Sequence, residues 1–98
     1  MGLLQIALED GFERDTVVLR VGDRELYSKD DVTTRTQISL AESLELDVPD
    51  GPLQLVVDVP TRGVSGTVDV REDQRHAVAI SLRDGRIRAR FPERLGSA

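Results

Sequence analysis

The sequence predicts an all-β fold, a single small antiparallel β-sandwich. Three observations carry that expectation. Apolar and polar residues alternate strictly along much of the chain, most fully over residues 53–70, and a period of two marks strands with one buried face. Turn residues punctuate these runs at fairly even spacing, as at Gly22-Asp23, Pro49-Asp50-Gly51-Pro52 and Asp84-Gly85. The chain has 98 residues, 39% of them hydrophobic, which suits one domain around one core.

The first strand is expected at Leu4, Ile6 and Leu8, alternating with Gln5 and Ala7 and stopping at Glu9-Asp10-Gly11. Phe12 follows in a polar loop and is expected to cap one end of the core. Residues 16–21 and 24–28 read as a hairpin turning at Gly22-Asp23. Its expected register sets Leu19 against Leu26, Arg20 against Glu25 and Val18 against Tyr27. Residues 29–37 are polar and threonine-rich and read as the longest irregular loop. Ile38 and Leu40 resume an alternation that Glu42 interrupts before Leu44, Leu46 and Val48. This reads as a strand with a bulge, and the Ser39/Glu42 capping-box spacing makes a helical turn over residues 40–44 the alternative.

The turn over residues 47–52 is expected to fold the next strand back, with Val48 opposite Leu53, Leu46 opposite Leu55 and Leu44 opposite Val57. Across Pro60-Thr61-Arg62-Gly63, the expected pairs are Val59–Val64, Val57–Gly66, Leu55–Val68 and Leu53–Val70. Every inward residue there meets an inward residue, so pattern and turn fix one register. After a charged loop, residues 76–82 form a strand with Val78, Ile80 and Leu82 inward. Asp84-Gly85 is a type I′ hairpin signal pairing Leu82 with Ile87, Ile80 with Ala89 and Val78 with Phe91. Pro92 ends the last strand. The sum is roughly seven or eight short strands, immunoglobulin-like in the broad sense, with a small β-barrel as the alternative. Residues 1–92 form the expected domain and residues 93–98 a flexible tail.

Composition narrows the function classes. The formal charge is −5, and an acidic chain repels phosphate, so neither nucleic acid nor an anionic membrane is an expected partner. There is no cysteine, which removes disulfide and thiol chemistry. The N-terminal residues lack a basic lead and a long apolar run, so a cytoplasmic location is expected unless a leader has been removed. Lys29 is the single lysine among thirteen cationic residues, a bias that a GC-rich coding sequence accounts for.

No catalytic constellation stands out, and the chain is not expected to be an enzyme. His76, the one histidine, has no nucleophile context around it and reads as a strand-end residue. Calcium is the alternative chemistry, at Asp30-Asp31 or at Asp69 with Glu72 and Asp73. Yet no segment supplies the spaced acidic pattern that six to eight converging oxygens require. Phe12, Tyr27 and Phe91 are the only aromatic residues and two of them read as core, which leaves too few for a carbohydrate platform. No cofactor is expected. The distinctive surface feature is basic. Arg86, Arg88 and Arg90 alternate with Ile87, Ala89 and Phe91, so they form an outward row on the last strand, whose cross-strand neighbours are Arg83, Ser81 and Ala79. The plain reading is a solvated edge, or arginines lying over small neighbours and paired with acids of another strand. The sharper reading is a binding site for an acidic partner or for the mate in a symmetric dimer, with Asp58 and Glu45 as acids sharing an outer face.

Residues 17–27 followed by Val48-Pro49-Asp50-Gly51-Pro52-Leu53-Gln54-Leu55 resemble the layout of PEGA-type surface β-modules. Gly63-Val64-Ser65-Gly66-Thr67-Val68 resembles the opening of carboxypeptidase-regulatory-like sandwiches. The later residues of either pattern, the Pro-Glu-Gly signature among them, are missing. The expectation is therefore a non-catalytic interaction or structural module, self-associating or part of a larger assembly, with a calcium-dependent or other small-ligand binder as the alternative.

Overall fold

The computed structural model describes residues 2–35, 37–38, 40–72 and 77–92. They form eight strands: β1 (Gly2–Leu8), β2 (Asp15–Val21), β3 (Arg24–Val32), β4 (Glu42–Val48), β5 (Leu53–Val59), β6 (Val64–Val70), β7 (Ala77–Arg83) and β8 (Arg86–Arg90). The strands make two packed four-stranded sheets, one in the order β4-β1-β7-β8 and the other β3-β2-β5-β6. Four free edges remain, so the sandwich does not close into a barrel. Pairing is antiparallel except between β1 and β7, which run parallel in the middle of the first sheet.

The alternating residues fill one core. Leu4, Ile6 and Leu8 meet Leu19, Leu55, Val57 and Ile80, each with no exposed surface. Phe12 is buried with them. The β5–β6 register is the one the pattern requires, from Leu53 beside Val70 to Val59 beside Val64. The β7–β8 register also follows the turn, with Leu82 beside Ile87 and Ile80 beside Ala89. Its ladder ends at Arg90, so Phe91 packs on the core as a half-buried residue after the strand.

Three expectations fail for physical reasons. In the β2–β3 hairpin, Arg20 faces Glu25, but a register shift then places Tyr27, not Leu26, beside Leu19. A second shift lies between Asp15 and Val17, and β3 runs on to the buried Val32 through Asp31, whose φ is 60°. Half of the supposed loop is therefore bulged strand. Its threonines are structural: the Thr34 hydroxyl donates to the Glu9 carbonyl and accepts from the Phe12 N–H at 3.0 Å, and the Thr33 hydroxyl accepts from the Arg14 N–H.

Next, β4 begins at Glu42. Leu40 only bridges Arg35, Ile38 is 61% exposed, and residues 40–44 take no helical turn. Ser39 lies outside the described residues. Finally, β4 pairs with β1, Leu44 beside Ile6 and Leu46 beside Leu4, and not with β5. Leu44, Leu46 and Val48 satisfy their inward parity by facing the second sheet across the core, where β3 is the strand that β4 meets. Pro49 and Pro52 bracket a crossover between the sheets in place of a hairpin.

Candidate functional site

The row Arg86, Arg88 and Arg90 owes its position to Asp84 and Gly85, whose φ values of 52° and 70° are those of a tight hairpin turn. The turn sets Arg86 beside Arg83, Arg88 beside Ser81 and Arg90 beside Ala79. All three outward arginines are exposed, and β8 is a sheet edge with no neighbouring strand on its outer side among the described residues.

The four arginines divide into two pairs. Arg90 reaches over β7 and grips Glu9 through both carboxylate oxygens, at 3.3 and 2.9 Å. Arg83 pairs with Asp10 at 3.6 Å. These acids lie just past β1 because the parallel pairing with β7 continues beyond the strand: the Glu9 N–H donates to the Ile80 carbonyl and the Leu82 N–H to the Asp10 carbonyl. Arg86 and Arg88 have no hydrogen-bond or ion-pair partner among the described residues. Between the two neutralised arginines runs an open groove of about 460 Å³, floored by Ala79 and Ser81 and flanked by Arg88.

The acids expected on a shared outer face are separated. Glu45 lies on β4, at the far edge of the same sheet as the arginine row, while Asp58 lies on β5 in the other sheet and pairs with Arg20 at 3.5 Å. That expectation depended on the β4–β5 pairing and falls with it. The acidic loops form no visible cation site: no group of three or more acidic or histidine side chains is placed to hold a metal among the described residues. Asp30 accepts from the Thr16 hydroxyl and Asp69 from the Gln54 amide. His76 and Asp73 lie outside the described residues. Tyr27 and Phe91 are half-buried against the core, so neither is an open platform. The Tyr27 hydroxyl is buried without a hydrogen-bond partner, and burial first, then the Glu42 charge, raise its pKa. Glu42 itself takes Lys29 at 2.7 Å, a bridge between the β3 and β4 edges.

One site was missed by sequence reasoning. Asp15 is 1% exposed, the one charged residue buried among those described. Its carboxylate accepts from the Glu13 N–H at 2.8 Å, the Thr61 hydroxyl at 2.8 Å and Arg62 Nε at 3.0 Å. Burial raises its pKa, but the hydrogen bonds from Glu13, Thr61 and Arg62 and the guanidinium charge outweigh this and leave it below the ordinary 3.8. The signal was available, since Asp15 shares inward parity with Val17 and Leu19. The network ties the loop before β2 to the 3₁₀ turn Pro60–Arg62 and is fully occupied with that task.

Among the described residues no helix is long and apolar enough to cross a membrane. In comparisons with known proteins, no family model, curated protein or solved structure matches the chain.

Proposed function

We propose that this protein is a non-catalytic binding module that docks an extended, acidic strand of a protein partner along the edge of β8. One observation carries the reading: among the described residues Arg86 and Arg88 are exposed and unpartnered on an open strand edge, while their neighbours Arg83 and Arg90 are neutralised within the molecule. Guanidinium groups at alternate positions match carboxylates at alternate positions of an incoming strand. Charge alone makes a weak site, because exposed ion pairs contribute about 0.2–1 kcal/mol each. Backbone hydrogen bonds along the open edge supply the rest, as in strand addition generally.

The test is calorimetric titration with a short peptide alternating glutamate and valine. Wild type binds it, and R86E/R88E loses the heat while melting at an unchanged temperature. Equal binding by both proteins, or by neither, removes this reading.

A further inference from the structure

We propose that the strand received by β8 is β4 of a second copy of this chain, so that molecules join edge to edge, head to tail. The proposal rests on the reading of β8 as a docking edge and adds the identity of the partner. β4 and β8 are the two outer strands of one sheet. β4 is antiparallel to β1, β7 is parallel to β1, and β8 is antiparallel to β7. The two edges therefore run in the same direction, and a copy displaced sideways brings its β4 alongside β8 as a parallel neighbour.

The side chains of the two edges are complementary. The outward residues of β8 are Arg86, Arg88 and Arg90; those of β4 are Ser43, Glu45 and Asp47, all exposed. Glu45 and Asp47 have no partner among the described residues. Setting Arg88 beside Glu45 places Arg86 beside Ser43 and Arg90 beside Asp47. On the inner face the same register sets Ile87 beside Leu44 and Ala89 beside Leu46. Ile87 and Leu44 are only half-buried in the single molecule, and a strand added at either edge covers them.

Other pairings fit less well. Two β8 strands would oppose arginine with arginine, and two β4 strands acid with acid, both unfavourable. β3 is broken by two register shifts and carries Lys29, Asp30 and Asp31 on its outer half. β6 is regular and nearly neutral, and a β6–β6 dimer is the rival outcome. A contact between different edges does not close on itself at two copies, so it builds open chains or rings.

Sedimentation velocity over a wide concentration range tests the proposal, using wild type, R86E/R88E and E45R/D47R, each checked for an unchanged melting temperature. The expected wild-type mass climbs past the dimer with concentration and falls as salt is raised. Each variant alone associates at least about tenfold more weakly. Mixed together they recover, because the basic β8 of one then meets the acidic β4 of the other. A wild type that stays monomeric overturns the proposal, as does a dimer unmoved by salt and by both variants, which would point to β6. Neither result touches the docking reading, which stands or falls on peptide binding by wild type against R86E/R88E.

Discussion

Replacing Asp15 with asparagine tests the one buried charge directly. The asparagine carbonyl can still accept from Thr61 and Arg62, but its amide then points at the Glu13 N–H, donor against donor. One hydrogen bond to a charged acceptor is lost outright, about 1.5–3 kcal/mol; the Thr61 bond becomes neutral and the Arg62 bond keeps only its charged donor, each weakened by about 1 kcal/mol or less. Arg62 is 40% exposed and its guanidinium rehydrates, which brings the net cost to about 2–3 kcal/mol. For a domain of this size that lowers the melting temperature by about 10–20 °C. The effect depends on pH in a fixed direction. Asp15 has a lowered folded-state pKa, so its contribution is complete above the unfolded-state value near 3.9 and is lost as pH falls through the folded-state value. Urea denaturation of D15N and wild type should therefore differ most at neutral pH and converge in acid. A gap below about 0.5 kcal/mol at pH 7, or one that does not change with pH, would refute the reasoning.

The remaining predictions concern the core, one turn and the acidic loops. Leu55→Ala should destabilise by about 2–5 kcal/mol because Leu55 has no exposed surface, while Gln54→Ala stays within about 0.5 kcal/mol; chemical denaturation midpoints check both. Gly11→Ala should cost about 3 kcal/mol or prevent folding, because Gly11 has φ 92° and an added Cβ would lie 1.8 Å from the Leu82 carbonyl oxygen; circular dichroism of the purified variant reads this out. Millimolar calcium should leave the melting temperature unchanged, whereas a ligand at 100 times its dissociation constant adds about 2.7 kcal/mol; a rise abolished by Asp31→Asn would restore calcium as the chemistry.

Parity and turn chemistry made much of this fold legible. Leu53 to Val59 against Val64 to Val70 had one register in which every inward residue met another, and Asp84-Gly85 fixed the arginine row. Parity says which face a residue takes and not which strand lies beside it. That is why β4 was assigned to β5 and why Asp58 and Glu45 were put on one face. A bulge is hidden for a related reason: Leu26 and Tyr27 are both apolar, so a slip by one residue leaves no trace in the pattern. The partners of Arg83 and Arg90 were out of reach because Glu9 is 81 residues from Arg90. A parallel β1–β7 pairing, which no turn announces, brings them together.

The docking edge is tested most directly by mapping where an acidic strand lands on the folded protein. Amide shifts recorded during titration with the alternating glutamate–valine peptide should move in β8, chiefly Arg86 to Arg90, with smaller changes in β7 behind it. Shifts clustered elsewhere, as in the apolar hollow beside Val21, Pro52 and Leu53, or no shifts at all, would contradict the account.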